Sequence, residues 1–127
     1  MAEHRNAALY RSLFGAMIAG DIEALSGAMA DDIRYHVIGS ADPIVGKEAV
    51  IASFAGIDEG GFEFQGELHD VVANDDHTIA LVQAHVTKDG ETFSYRTAEI
   101  FHIEDGKITE RWAFSDDTEA INRFFGS

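Results

Sequence analysis

Two residues of this chain combine proton-transfer chemistry with a position on a predicted strand, Glu99 and His36. Glu99 lies on a strand whose alternate residues, among them Tyr95, Phe101 and Ile103, are apolar or aromatic. Because burial disfavours the charged form of a carboxyl group, Glu99 on such a face is expected to be a neutral acid that donates a hydrogen bond to a ligand oxygen. Histidine transfers protons near neutral pH, so His36 is the candidate second group. Together they predict proton transfer next to a carbonyl group.

Each assignment has a simpler alternative. Glu99 could be satisfied by a tyrosine, a tryptophan or a backbone donor, or could lie in water at the mouth of a pocket. His36 directly follows Tyr35, and neighbouring residues of a strand face opposite sides of a sheet. The pattern Ile33, Tyr35, Val37 favours an inward Tyr35 and an outward His36. The sequence leaves open which of the two faces the interior.

Two Asp-Gly turns fix the predicted position of Glu99. Asp89-Gly90 and Asp105-Gly106 each separate runs of alternating apolar residues, which is a strong hairpin signal because a type I′ turn needs positive φ at both central positions. If both loops contain two residues, Glu99 lies opposite Ala80 on one neighbouring strand and opposite Trp112 on the other. A bulge in either hairpin would change this register.

The same register divides the hairpins into two faces. The predicted interior face is overwhelmingly apolar, with Glu99 near its middle and Glu110 nearer the turn, and it includes Tyr95, Phe101, Trp112 and Phe114. The predicted outer face is polar and carries Gln83, His85, Ser94, Arg96, His102, Thr109 and Arg111. Aromatic or apolar residues on the interior face and on the helices are expected to line a ligand pocket, namely Tyr35, Tyr95, Trp112, Phe14, Met17, Phe54 and Phe101.

Composition excludes several classes of function. The chain has 127 residues, the length of one domain, so residues 1–127 are assigned to a single domain. The formal charge of -14 argues against nucleic acid or an anionic membrane as a partner, since both require clusters of basic residues. There is no cysteine, and no histidines have metal-ligand spacing, so neither a metal nor another cofactor is expected. Without a signal or membrane-spanning pattern, we expect a cytoplasmic protein.

The order of predicted elements indicates an α+β fold. Helices are expected at 4–18, 22–29 and 47–55, with one strand at 33–38 between the second and third. A strand at 62–73 and the two hairpins follow, and a short helix after Ser115 closes the chain. Helices grouped before a meander of antiparallel strands place the helices on one face of a curved sheet.

Several short motifs, in their order along the chain, resemble SnoaL-like and ketosteroid-isomerase-like proteins of the nuclear transport factor 2-like superfamily. They are Ala19-Gly20-Asp21, Ala30-Asp31-Asp32, the Tyr35–Gly39 segment YHVIG, the helix start at Gly46–Val50, the segment EIFHIEDGKITE at 99–110, and the closing pattern at Asp117–Phe124. The resemblance runs almost end to end. It implies a cystatin-like cone, in which a curved antiparallel sheet wraps around a long N-terminal helix and encloses an apolar pocket. It also implies a homodimer through the outer face of the sheet.

The resemblance assigns roles and also marks departures from them. Glu99 matches the position of the isomerases' hydrogen-bonding acid, and His36 lies near the position of their proton-transferring carboxylate. The first-helix tyrosine of those enzymes is replaced by Leu13 or Phe14, and Tyr10, one turn earlier, replaces it only in part. Steroid isomerisation is therefore not expected. The epoxide-hydrolase branch needs an Asp-Arg-Asp set, which Arg96 cannot complete.

The sequence thus favours a closed pocket for a small hydrophobic or carbonyl-bearing molecule, anchored by Glu99 and by His36 or Tyr35. The corresponding chemistry would be cofactor-free proton transfer of the isomerase, cyclase or dehydratase type. The alternative is a non-catalytic domain that binds a ligand or forms a dimer, because one fold can support many functions. Substrate identity does not follow from the sequence.

Overall fold

The computed structural model describes residues 3–126, apart from the side chains of residues 57, 58 and 126. The helices of this part are α1 (Arg5–Ala19), α2 (Ile22–Gly27), α3 (Lys47–Glu59) and α4 (Thr118–Gly126). The strands are β1 (Met29–Tyr35), β2 (Ile44–Val45), β3 (Glu63–Ala73), β4 (Thr78–Lys88), β5 (Glu91–Glu104) and β6 (Lys107–Ser115). No helix within 3–126 is long and apolar enough to cross a membrane.

All six strands form one sheet in the order β2-β1-β6-β5-β4-β3. Strands β3 to β6 are an antiparallel meander, whereas β1 runs parallel to β6. The helices α1 to α3 lie on one side of this curved sheet, and α1 packs on β3 and β4. The α+β fold predicted from the order of elements is confirmed.

Several element boundaries differ from the prediction, in part because tertiary pairing overrides local pattern. β1 spans Met29–Tyr35 and not 33–38, because Met29 pairs with Ile108 of β6, and the Asp31-Asp32 pair therefore lies within the strand. The predicted loop 39–46 contains the short strand β2, which pairs with the end of β1. α3 also extends to Glu59, beyond the predicted end at residue 55.

The first hairpin has the predicted register. Asp89 and Gly90 have φ of 54° and 82°, as a type I′ turn requires, and Lys88 pairs with Glu91. The pairing continues without interruption to Ala80 and Glu99. Because directly paired residues share a face of the sheet, Glu99 faces the same side as the buried Ala80.

The second hairpin contains a β-bulge that changes the predicted register. His102 pairs with Glu110 but Ile103 pairs with Ile108, so Thr109 is an extra residue on β6. The predicted pairing of Glu99 with Trp112 is therefore wrong.

Beyond the bulge, every residue of β6 faces the side opposite to the predicted one. Glu99 pairs with Ala113, Ile100 pairs with Trp112, and the buried Phe101 pairs with Arg111. Arg111 thus faces the interior, while Glu110, Trp112 and Phe114 face outward, the reverse of the predicted arrangement.

The core lies between the inner face of the sheet and the helices. From α1 it receives Ala7, Tyr10 and Leu13, which recur every third residue, as expected for one side of a helix. The sheet and the remaining elements contribute the other core residues, among them Leu25, Met29, Ile33, Val50, Val71, Ala80, Val82, Phe101, Ile103 and Ile108.

Candidate functional site

A buried ion pair lies on the inner face of the sheet. Arg111 donates from Nη2 to Glu99 Oε1 at 3.1 Å and from Nε to the same oxygen at 3.3 Å. The two side chains are only 9% and 14% exposed. Buried charges are tolerated when they are paired and hydrogen-bonded, and Glu99 is the counter-ion of Arg111. The expectation of a neutral Glu99 was based on burial alone and did not include this cationic partner, 3.1 Å away.

Arg111 is held by two further contacts that fix its orientation. Its Nη1 donates to the backbone carbonyl of His36 at 2.9 Å, and its guanidinium lies 4.4 Å from the centroid of the Tyr35 ring. The first contact uses a third N–H of the guanidinium group, and the second is a cation–π interaction. The backbone N–H of His36 also donates to the carbonyl of Arg111 at 2.8 Å. The end of β1 and the middle of β6 therefore position the guanidinium together.

Three tyrosines surround this ion pair. Burial, and then the nearby Glu99 carboxylate, raise the Tyr10 pKa far above its usual value. Burial also raises the pKa of Tyr35, against the opposing effect of Arg111. Burial and then Glu99 raise the pKa of Tyr95 to about 12. All three phenols therefore remain protonated at neutral pH, and each has an O–H that can donate a hydrogen bond to a ligand.

Two cavities adjoin the ion pair. The inner chamber has a volume of about 60 Å³ and is mostly apolar. Its lining residues are Tyr10, Leu13, Phe14, Met17, Leu25, Met29, Ile33, Tyr35, Phe54, Glu99, Phe101, Ile108 and Arg111. The outer pocket has a volume of about 560 Å³, within the range of small-molecule sites. It is lined by Tyr35, Val37, Ile38, Gly39, Ser40, Ser53, Phe54, Tyr95, Arg111, Ile121, Asn122 and Phe125.

Tyr35, Phe54 and Arg111 line both cavities and so lie at the boundary between them. The Tyr35 ring meets Phe54 edge-on at a centroid distance of 5.6 Å and lies under the guanidinium of Arg111. A ligand that extends from one cavity into the other would pass these three side chains. The guanidinium and the Tyr35 hydroxyl are the polar donors at this boundary.

The structure brings together seven of the nine residues predicted for the site. Glu99, Phe14, Met17 and Phe101 line the inner chamber, Tyr95 lines the outer pocket, and the other two line both cavities, namely Tyr35 and Phe54. Their position in the cavities follows from the geometry, whereas their functional roles stay a prediction.

His36 and Trp112 lie elsewhere, on the outer face of the sheet. His36 Nε2 is 2.8 Å from Glu110 Oε2, and its ring stacks on Trp112 with a centroid distance of 5.4 Å and an interplanar angle of 4°. The bulge at Thr109 explains the position of Trp112, and strand parity after Tyr35 explains that of His36. The sequence left open whether Tyr35 or His36 faces the interior, and in the structure Tyr35 lines both cavities.

Arg111 is the site residue that the sequence reasoning missed. The hairpin count placed it on the outer face, although a buried Glu99 requires a cationic or hydrogen-bonding partner. That requirement was a usable signal, because Arg111 is only one position from the residue predicted to face Glu99. Among the described side chains, no group of three or more His, Cys, Asp or Glu residues could hold a metal ion.

The curved sheet with helices on one face is the nuclear transport factor 2-like fold, which two solved nuclear transport factor 2-like proteins of 18% and 22% identity share with this chain. A family model for the SnoaL-like domain matches residues 10–111, and the chain belongs to that family. No curated protein matches the sequence.

Three solved structures illustrate the similarity. Bal32a from a soil-derived mobile gene cassette has a TM-score of 0.86 at 22% identity, covering 94% of this chain and 95% of its own. IdmH of Streptomyces antibioticus, described as a proposed polyketide cyclase, has a TM-score of 0.77 at 21% identity and coverage of 96% and 99%. An LEH-like epoxide hydrolase of M. tuberculosis has a TM-score of 0.77 at 16% identity and coverage of 95% and 96%. At these identities the similarity establishes the fold.

Proposed function

We propose that this protein binds a small carbonyl-bearing molecule between its two cavities and catalyses a cofactor-free proton transfer next to the carbonyl group. The observation that carries the proposal is the Glu99–Arg111 ion pair, which lies at an otherwise mostly apolar cavity within a ring of three protonated tyrosines. Such a site offers one carboxylate and several fixed donors in surroundings that exclude most water. Donors in this kind of environment stabilise charge that develops on oxygen.

The proposed reaction assigns one role to each group. The carbonyl oxygen of the substrate accepts hydrogen bonds from Arg111 and Tyr35 at the boundary of the cavities. The Glu99 carboxylate removes a proton from the adjacent carbon, and the C–H electron pair moves into the new C=C bond of an enolate. In an isomerase, Glu99 then returns the proton to a more distant carbon. In a cyclase, the enolate carbon attacks a second carbonyl carbon, and the resulting alkoxide takes the proton.

Membership of the SnoaL-like family and the similarity to IdmH support this choice of reaction class. A polyketide carries several carbonyl groups whose neighbouring C–H bonds are acidic, and these are the bonds that a carboxylate base would act on. The proposal gives the proton-transfer role to Glu99 and not to His36, because His36 lies on the other face of the sheet.

One observation favours the second candidate, a domain that binds a carbonyl compound without turnover. Oε1 of Glu99 already accepts two N–H groups of Arg111. A carboxylate oxygen that is occupied by two donors is less accessible to a substrate proton than a free one. The two candidates bind the same class of ligand and differ only in turnover.

The proposal is tested with 1-phenyl-3-buten-1-one, whose conversion to the conjugated enone 1-phenyl-2-buten-1-one is followed by ultraviolet absorbance. Its carbonyl group at the boundary would leave the phenyl ring in the outer pocket and the acidic CH₂ on the side of Glu99, which lines the inner chamber. The wild-type protein should accelerate the reaction, and Glu99→Gln should lower the rate by about 100-fold or more, the usual contribution of a positioned base. Glu110→Gln, on the outer face, is the matched control and should keep the wild-type rate. Circular dichroism of each variant separates lost chemistry from lost folding.

A Glu99→Gln protein that is folded and retains the wild-type rate would overturn the catalytic role. Binding of the ketone without acceleration by the wild-type protein would favour the binding domain. Because Glu99→Gln leaves Arg111 without its counter-ion, Tyr35→Phe serves as a second variant that keeps the ion pair. It should slow the reaction by removing one donor to the carbonyl oxygen.

We also propose that the protein forms a homodimer through the outer face of the sheet. Paired residues place Val72, Ile79, Ile100 and Trp112 in one row across four strands. Val72 is 57% exposed, and Leu81 and Phe114 beside this row are 41% and 62% exposed. Large exposed side chains in a continuous patch are typical of protein interfaces.

A further inference from the structure

The inner chamber differs from the outer pocket in size and in chemistry. Beyond the polar groups at its boundary, its walls are apolar side chains contributed by α1, α2, α3, β1, β5 and β6. Six of these side chains are at most 8% exposed, namely Leu13, Leu25, Met29, Ile33, Phe101 and Ile108. The chamber is therefore a recess set into the core, and its shape is determined by tightly packed residues.

The volume of the chamber limits what can enter it. About 60 Å³ is more than one water molecule needs and less than half of the roughly 150 Å³ of a cavity that binds benzene. A six-membered ring is therefore too large, whereas a chain of about two or three carbon atoms fits by the same comparison. Water gains little there, because most of the walls offer it no hydrogen-bond partner.

The outer pocket complements this recess. Its volume of about 560 Å³ accommodates a ring system, and it presents Ser40, Ser53, Tyr95 and Asn122 to the ligand. Arg111 and Tyr35 lie between the two spaces and provide donors for an oxygen at that point. The order along a bound molecule would then be alkyl group, carbonyl group and larger polar or cyclic part.

We infer that the ligand is a ketone with one short unbranched alkyl arm of two or three carbons, which occupies the inner chamber while the rest of the molecule lies in the outer pocket. This inference rests on the proposed function for the carbonyl group at the boundary. The limit on chain length depends on the chamber walls and not on catalysis. It defines the substrate class by the length of one arm.

The inference is tested with a series of phenyl ketones measured by isothermal titration calorimetry: acetophenone, propiophenone, butyrophenone, valerophenone and hexanophenone. Each methylene that enters the chamber should lower Kd by about fourfold, the gain expected for burying one CH₂. The decrease should end at propiophenone or butyrophenone, whose alkyl arms have two and three carbons. Valerophenone and hexanophenone should bind more weakly, because their arms exceed the chamber.

A pair of variants attributes the limit to the chamber. Met17→Ala removes a side chain that lines the chamber and should move the best ligand to a longer arm, valerophenone or hexanophenone. Leu68→Ala is the matched control, because Leu68 is also a half-buried apolar residue packed on the core but lines neither cavity. It should leave the preferred length unchanged.

Three results would overturn the inference. The first is an affinity that rises steadily to hexanophenone, and the second is an affinity that does not depend on chain length or is absent throughout the series. The third is an equal length preference in Met17→Ala and Leu68→Ala.

Failure of the proposed catalysis would give a different result. In that case the enone is not isomerised, while the length limit and its shift in Met17→Ala persist. A protein that isomerises the enone but shows no length limit would retain its proposed function and lose this inference.

Discussion

Arg111 is the side chain whose loss should damage the interior most. Replacing it by methionine leaves the buried Glu99 carboxylate without its cation, and removal of one partner from a buried pair typically costs about 3–5 kcal/mol. We expect Arg111→Met to lower the free energy of unfolding by an amount of this order, measured by urea denaturation at neutral pH. The double variant Arg111→Met/Glu99→Gln should recover part of the loss, because it no longer buries an unpaired charge.

An exposed ion pair provides the comparison for Arg111. Arg96 donates to Asp116 at 3.2 Å, but the Arg96 side chain is 76% exposed. Exposed pairs contribute little to stability, so Arg96→Met should leave the free energy of unfolding almost unchanged. Equal losses for Arg96→Met and Arg111→Met would contradict a structural role for the buried pair.

The tyrosines predict a second residue-level property, the stability of the protein in alkali. The pKa of Tyr95 is raised from 10.0 to about 12, and those of Tyr10 and Tyr35 are also raised. Between these two pH values the unfolded chain loses phenolic protons that the folded chain keeps. The stabilisation is therefore fully present below pH 10 and is lost progressively as the pH rises toward 12.

Tyrosinate absorbance measures this effect directly. At pH 10 the folded protein should show little tyrosinate, whereas the urea-unfolded chain should be about half ionised, as its unperturbed pKa requires. Tyr95→Phe should weaken the loss of stability between pH 10 and pH 12. An ordinary titration of the folded protein near pH 10 would contradict the burial of these phenols.

At the scale of elements, the bulge at Thr109 determines which β6 side chains reach the interior. Deletion of Thr109 would remove the extra residue and keep Arg111 opposite Phe101, because Glu110 would follow Ile108 directly and still pair with His102. We therefore expect the deletion variant to keep Arg111 in the interior and to unfold cooperatively on heating. Thr109→Val is the control, since it keeps the extra residue and removes only the hydrogen bond to the His102 carbonyl. Loss of cooperative unfolding in the deletion variant alone would show that the bulge itself, and not only the pairing on either side of it, is required for the fold.

This bulge also explains why only part of the site could be predicted. The face of Glu99 followed from the Asp89-Gly90 turn, because a two-residue hairpin fixes the register of both strands. The Asp105-Gly106 turn looks the same in the sequence, but nothing in the residues from Lys107 to Trp112 marks Thr109 as extra. The partner of Glu99 is determined by the burial of its charge, which is a tertiary effect.

For the molecule as a whole, the order of elements predicted the fold because the helices and the meander each have a strong local pattern. The division of the interior into two cavities could not be predicted in this way. It depends on Tyr35 and Phe54 meeting edge-on beneath Arg111, three residues brought together from β1, α3 and β6. Local patterns determine which residues are buried, but not the space left between them.

The proposed homodimer gives the last prediction, and net charge makes it specific. Each chain carries a formal charge of -14, so two chains repel one another while the apolar row on the outer face favours their association. Added salt screens the repulsion and leaves the apolar contribution in place. We therefore expect light scattering to give twice the 13.9 kDa mass of one chain, and the dimer to become tighter as salt is raised.

Two glutamate substitutions locate the interface. Leu81→Glu should produce a monomer, because in a two-fold symmetric interface each new carboxylate would be buried near its own copy. Ile22→Glu is the matched control, since Ile22 is 44% exposed and Leu81 is 41% exposed, but Ile22 lies on α2, away from the outer face. A dimer that survives Leu81→Glu, or that weakens as salt is added, would show that the chains associate through another surface.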